Sequence, residues 1–196
     1  MSTNSDIDAR TDRILDVAME LAEADGYDAV RIRDVAERAD VALGTLYRRF
    51  ESKEDILAAA LERMVQQFYE AVKIAPLEGG TAEERLGTFF TIATQALGDR
   101  PKLAAALLRT VASGVPELAG RVLNYQDTMN EILITVMRGN PSDAFPTESE
   151  LQLSRMLQNL WFAEMVGWTG GLQDTDAVLD HLFAALRTLL RSTEIS

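Results

Sequence analysis

The stretch that decides the fold is GYDAVRIRDVAERADVALGTLYRRFESKED, residues 26–55. It reads as two short helices separated by a tight turn, followed by the capped start of a third. The second helix presents Gly44, Thr45, Tyr47, Arg48 and Arg49 on one surface and Val41, Leu46 and Phe50 on another. A short helix braced by its neighbour and displaying small, hydroxyl and guanidinium side chains suits the major groove of double-stranded DNA.

Outward from this stretch, apolar residues recur at helical spacing almost everywhere, and period-two strand patterns are nearly absent. A first helix is expected over about 8–25, with Ile14, Val17, Ala18, Leu21 and Ala22 on one face and Gly26 ending it. The pair after it spans about 32–39 and 43–49. A fourth helix starts at Ser52, whose spacing to Asp55 fits a capping box, and runs to Ile74. The breakers Ala75 to Gly80 then form a loop. Thr81 with Glu84 opens a helix to Leu97, and Pro101 and Pro116 suit first turns of helices over 101–113 and 116–138. Gly139-Asn140-Pro141-Ser142-Asp143 is an interruption. Thr147 with Glu150 caps a helix through Trp168, stopped by Gly170-Gly171, and a last helix covers 175–191. Nine helices and no strands predict an all-α protein. The division is a three-helix helix-turn-helix domain over 1–54 and a second helical domain over 55–196.

Composition narrows the function. The 196 residues suffice for one or two domains with real cores. No run approaches about 18 consecutive apolar residues, so no transmembrane helix is expected, and MSTNSDIDAR lacks the pattern of a signal peptide. The expected location is the cytoplasm. With no cysteine and one histidine, thiolate catalysis, disulfides and the usual metal sites are absent, and neither a metal nor a cofactor is expected. No G-x-S-x-G elbow or phosphate-binding glycine loop occurs, so the chain does not read as an enzyme; a helical carboxylate-based hydrolase is the enzyme alternative, without a telling pair of acids. The net charge of −12 opposes nucleic-acid binding at first sight. Over 31–53, however, six basic residues face four acidic ones, so positive charge is concentrated at the reading head. An acidic remainder limits non-specific adhesion to phosphates, as suits an operator-specific binder.

Gly26-Tyr27, Val35-Ala36-Glu37-Arg38-Ala39, Asp40-Val41-Ala42, Gly44 to Phe50 and Ser52 to Leu57 together resemble the TetR family of transcriptional regulators over residues 10–57. Asp40 stands where that family commonly has glycine, and aspartate tolerates left-handed backbone better than most residues. The wording ERADVALGTLYR and a late tryptophan-bearing helix are most similar to actinobacterial repressors of sterol and lipid catabolism. Inside this motif, Thr45 and Arg48 are candidates for base edges, since arginine forks onto guanine and threonine offers a hydroxyl or methyl to thymine. Tyr47 and Lys53 suit phosphates, Arg31 and Arg33 the opposite backbone, and Gly44 a close approach of the helix. Arg38 and Arg49 have Glu37, Asp34 and Glu51 within reach as ion-pair partners.

The remaining two-thirds offers aromatic and methionine material. Trp161, Met165 and Trp168 share a helix face, a pattern equally suited to core or dimer seam. The resemblance implies a pocket walled by the middle helices, for which Met64, Phe68, Phe89, Phe90, Met129, Trp161, Met165 and Trp168 are candidates, taking a small hydrophobic effector. Lys102, Arg109 or Arg121 would serve the phosphates if that effector were an acyl-thioester. Asn159 and Glu164 are expected to face solvent, and His181 a surface or interface. The resemblance also implies a homodimer through the last two helices, with Leu160, Trp161, Val178, Leu182, Ala185, Leu186 and Leu189 supplying apolar surface. The expected function is a one-component repressor released from a palindromic operator by a lipid, steroid or acyl-thioester. Alternatives are control of an efflux pump by small aromatic compounds, and a helical adaptor that leaves DNA alone.

Overall fold

The computed structural model describes residues 2–142 and 144–193, so Asp143 of the expected interruption lies outside them. Among the described residues there are nine α-helices, two single-turn 3₁₀ helices and no strand. In order they are α1 (Ser2–Asp25), a 3₁₀ turn (Tyr27–Ala29), α2 (Ile32–Arg38), α3 (Leu43–Tyr47), α4 (Lys53–Ile74), α5 (Ala82–Gly98), α6 (Pro101–Val111), a second 3₁₀ turn (Pro116–Leu118), α7 (Ala119–Arg138), α8 (Glu148–Thr169) and α9 (Thr175–Thr193). None is long and apolar enough to cross a membrane.

The local signals account for most of these boundaries. Thr81 and Thr147 each form a reciprocal capping box, with Glu84 and Glu150 respectively. Ser52 Oγ accepts from the Asp55 amide at 3.1 Å, while the Asp55 carboxylate turns back to the Glu51 amide at 3.0 Å, one residue beyond the box expected. Pro101 opens α6. Pro116 opens only a 3₁₀ turn, and the α-helix proper begins three residues later at Ala119. The first helix reaches back to Ser2, and α3 stops at Tyr47, two residues short of the expected end. Gly26 leaves α1 at φ +83°, and Asp40 bears the turn between α2 and α3 at φ +52°, the one non-glycine residue of positive φ among the described residues.

The chain forms two compact units. The first takes the residues up to Met64 together with Arg100–Leu123, so α6 belongs with the helix-turn-helix region despite lying about 50 residues further along. Its core is Ile14, Ala18 and Ala22 of α1, Val35 of α2, Leu46 of α3, Ile56 and Leu57 of α4, and Leu103 and Ala106 of α6, all nearly inaccessible. Arg100 pairs with Glu23, Lys102 Nζ donates to the Ala24 carbonyl at 2.5 Å, and Arg63 reaches Asp12 at 3.2 Å and Asp16 at 2.5 Å.

The second unit comprises Val65–Asp99 and the chain from Asn124 onward. There α9 packs against both α5 and α8. Val178, Leu182 and Leu186, expected at a dimer seam, are therefore fully buried inside the chain itself, whereas Leu160, Ala185 and Leu189 stay half-buried. Arg85 closes the end of α7, donating to the carbonyls of Val136 at 2.8 Å and of Met137. Arg138 forks onto Glu150 at 2.7 and 2.8 Å. That guanidinium, against the opposing effect of burial, holds the Glu150 carboxyl down to about 2.

Two outcomes follow for stability. Asp40→Val is expected to cost about 1–2 kcal/mol, because a β-branched side chain is strained at positive φ, whereas Asp40→Gly should be neutral or stabilising; urea unfolding of both variants checks this. Glu150→Gln should cost about 1–3 kcal/mol at neutral pH by removing a charge-assisted fork. Because the folded-state value is depressed, the stabilisation is complete above the ordinary carboxylate value of 4.5 and fades as the pH falls toward about 2. Unfolding midpoints of the variant and parent should therefore converge over that interval.

Candidate nucleic-acid interface and apolar core

Helix α3 is only five residues long, and one side chain anchors it: Leu46 is fully buried, with Phe50 at 2 % just beyond. The turn preceding it is closed by the Asp40 amide on the Glu37 carbonyl at 3.2 Å and the Val41 amide on the Ala36 carbonyl at 3.0 Å. Fixing Leu46 inward turns the opposite side out. Gly44 and Arg48 are exposed, Tyr47 is 53 % exposed and Thr45 half-buried. Arg48 Nη2 donates to Thr45 Oγ1 at 3.1 Å, which aligns the two candidate base-reading groups as one unit. A Cβ added to Gly44 would meet nothing within 4 Å, and its φ is unexceptional. Nothing inside the protein therefore requires glycine there; the vacancy faces outward.

Arg31, the N-cap residue of α2 in extended conformation, and Arg33 are both exposed. Among the described residues neither has an ion-pair partner. Arg49, by contrast, is engaged within the protein. Lys53 is not the open cation that its motif position suggested. Its ammonium lies 3.4 Å from the Tyr27 carbonyl, 3.6 Å from Asp28 and 3.8 Å from the centre of the Tyr27 ring. The Tyr27 hydroxyl donates to Glu54, and burial followed by that hydrogen bond pushes the phenol up to about 12.

Three cations that the sequence placed elsewhere, Lys102, Arg109 and Arg121, belong to this unit, together with Arg100. The guanidinium of Arg109 stacks 3.9 Å from the Tyr27 ring centre and lies 3.7 Å from Asp28. Arg121 bonds Asp55 and, at 2.7 Å, Glu62, and lies over the Phe50 ring. With Lys102 on the Ala24 carbonyl, the three cations suggested for thioester phosphates are all engaged within the first unit, and Arg100 joins them on Glu23. A compositional trace existed. Residues 100–123 hold four cations, Arg100, Lys102, Arg109 and Arg121, against the single carboxylate Glu117, in a chain where acids outnumber bases 31 to 19.

In the second unit, four expected effector-binding residues meet. Ring centres are 5.6 Å apart for Phe68–Phe89, 5.0 Å for Phe89–Phe90, 6.4 Å for Phe89–Trp161 and 5.9 Å for Phe90–Trp161, mostly edge to face. The indole of Trp161 donates to Thr94 Oγ1 at 3.0 Å, both buried. Met129 and Met165 are buried, Trp168 is half-buried, and Met64 falls at the edge of the first unit. A polar node accompanies them: Asn130 Oδ1 accepts from Ser154 and from Gln158, each at 2.6 Å. Asn159 is exposed, as expected. Glu164 is not a solvated residue: it accepts from Gln173 at 2.5 Å and meets His181 Nδ1 at 3.0 Å, which raises the imidazole's pKa.

Comparison with known proteins adds independent findings. The family model described as bacterial regulatory proteins, tetR family, matches residues 14–74, and the tetracyclin repressor-like C-terminal domain matches 79–189. The HTH-type transcriptional repressor KstR of Mycolicibacterium smegmatis is 34% identical over 185 residues, covering 94% of this chain and 89% of that protein. A crystal structure of a TetR transcriptional regulator from Rhodococcus sp. RHA1 superposes with a TM-score of 0.82 at 25% identity, covering 95% of this chain and 97% of that one. The regulator FadR from Bacillus subtilis, crystallised with stearoyl-CoA, gives 0.63 at 23% identity, covering 89% and 96%.

Gly44→Ala separates the two roles of α3. With open space around the added methyl, folding should be unharmed or gain up to about 1 kcal/mol from helix propensity. Affinity for duplex DNA, measured by fluorescence anisotropy, should fall.

Proposed function

Because the chain belongs to the TetR family of bacterial regulatory proteins, we propose that it is a cytoplasmic one-component repressor. In this reading it binds a near-palindromic operator as a homodimer and leaves it when a bulky apolar effector binds. The observation that carries the reading is the division of α3 into a fully buried Leu46 and an outward face of Gly44, Thr45, Tyr47 and Arg48. This is the arrangement a recognition helix needs, since base edges can be read only by side chains that the core does not use. Relatives of this length and identity are named as transcriptional repressors, and the family is one of regulators rather than enzymes.

The homodimer finds support on α8, where Met156 is 44 % and Val166 42 % exposed, with Leu160 and Phe162 half-buried nearby in sequence. Such apolar surface on a long helix favours a self-complementary partner. A dimer presents two reading heads and so demands two symmetry-related half-sites. Support for a lipid, steroid or acyl-thioester comes from the Phe68, Phe89, Phe90 and Trp161 cluster with Met129 and Met165, and from the stearoyl-CoA carried by the FadR neighbour. By linkage, the effector binds the DNA-free protein more tightly by the factor by which it weakens operator binding.

Genomic fragments selected on the immobilised protein supply the operator. Arg48→Ala should then lower specific affinity by about 1–3 kcal/mol and relax base preference, while Lys53→Ala should weaken all sequences alike. Titrating the complex with long-chain acyl-CoA, a steroid-CoA thioester and small aromatic amines should release DNA with one of the first two. Release by the amines alone would transfer the protein to efflux control. A selection that recovers no fragment would defeat the reading.

A further inference from the structure

Lys53 is suited to hold a DNA phosphate, yet a carboxylate already stands beside it. Asp28 Oδ1 lies 3.6 Å from Lys53 Nζ, and Asp28 Oδ2 lies 3.7 Å from Arg109 Nη1. One carboxylate thus bridges two cations, one in the helix-turn-helix segment and one on α6. Both cations also lie over the same ring, Lys53 at 3.8 Å and Arg109 at 3.9 Å from the centre of Tyr27.

Resting on the DNA-binding reading, we propose that Asp28 competes with the DNA backbone for Lys53, and that Arg109 is a positioning residue that relieves this competition. When a phosphate reaches Lys53, the ammonium must exchange one anion for another. Arg109 keeps hold of the displaced carboxylate, so Asp28 is never left unpaired beside the incoming phosphate. The exchange has room to occur. Asp28 is 83 % and Arg109 60 % exposed, and an open cleft of about 330 Å³ lined by Asp25, Tyr27, Asp28, Lys102 and Arg109 adjoins them. Lys53, at 25 %, is the constrained member, held by the ring and the Tyr27 carbonyl while the two exposed side chains move. Arg109 lies in the segment matched by the C-terminal family model, so a determinant of phosphate affinity sits outside the segment that matches the DNA-binding family model.

The phosphate contact is independent of sequence, so the probe is a labelled 30-base-pair duplex of arbitrary sequence, titrated with the full chain over a range of salt. Asp28→Asn should tighten binding about two- to five-fold, the equilibrium effect of one exposed ion pair. Arg109→Gln should weaken it by a similar factor, and Arg109→Lys, which keeps the charge, should bind within two-fold of the parent. In the Asp28→Asn background, Arg109→Gln should have no further effect. The salt slope should stay unchanged throughout, because the number of phosphates neutralised is the same. If Arg109→Gln weakens binding equally in both backgrounds and lowers the slope by about one, Arg109 touches phosphate itself and the proposal is overturned. If Asp28→Asn fails to tighten binding, it is overturned as well; this arm decides alone should Arg109→Gln not fold. A parent protein that binds no duplex even at low salt would defeat the DNA-binding reading, and the inference with it.

Discussion

A helix of five residues has too few internal hydrogen bonds to hold itself in water, because nucleation costs more than one turn returns. Helix α3 therefore exists only through what it buries. Leu46 is its one inaccessible side chain, and Phe50, just past its end, is the second anchor. The remaining positions of α3 are free to be chosen for a partner, and the chain fills them with glycine, threonine, tyrosine and arginine. The tightness of the preceding turn matters equally. Asp40 at φ +52° is what lets α3 leave α2 quickly enough for Leu46 and Val35 to share one core.

The second constraint is supplied from far along the chain. The region that carries α2 and α3 would be a small domain, and small domains bury too little surface to be robust. Here α6 and the start of α7 enlarge it, bringing Leu103, Ala104, Ala106 and Leu107 into its core. Cations on this segment meet carboxylates and carbonyls of the N-terminal helices: Arg100 with Glu23, Lys102 with Ala24, Arg109 with Asp28, Arg121 with Asp55 and Glu62. Individually exposed pairs contribute little. Four of them along one segment, together with buried leucines, fix which surface of α6 faces α1. Helices α4 and α7 each run continuously from the first unit into the second, so the same segment is covalently continuous with the aromatic-bearing unit.

Much of this was legible in the sequence where the cause is local. Thr81 with Glu84 and Thr147 with Glu150 specify helix starts because the hydrogen bonds span three residues. Asp40 could be read as left-handed because the competition there is between side chain and backbone of one residue. The outward face of α3 followed from its helical period. What was not legible depends on pairings between remote positions. Nothing in a periodicity distinguishes a stripe that packs on the chain's own α5 and α8 from one that packs on a second subunit, so Val178, Leu182 and Leu186 read as seam when they are core. Likewise, Arg109 and Arg121 were assigned by charge to an anionic ligand. Their partners, Asp28, Asp55 and Glu62, lie 59 to 81 residues away in sequence and are chosen by how α6 and α7 dock.

The overall charge of −12 poses a problem for a DNA-binding chain, and the internal pairings bear on where charge is felt. Within the first unit, Asp12 and Asp16 are met by Arg63, Glu23 by Arg100, Asp28 by Lys53 and Arg109, and Asp55 and Glu62 by Arg121. A carboxylate paired within 3.7 Å contributes chiefly a local dipole to a point a Debye length away, whereas an unpaired cation contributes its full charge. Arg31, Arg33 and Arg48 have no ion-pair partner among the described residues, so near α3 these three guanidinium groups act with full charge against the nearby acids Asp34, Glu37, Asp40 and Glu51. Acidity elsewhere then acts in the opposite direction to these arginines at every phosphate beyond their reach. The balance favours a protein that holds DNA only where its few free cations and its base-reading side chains engage together.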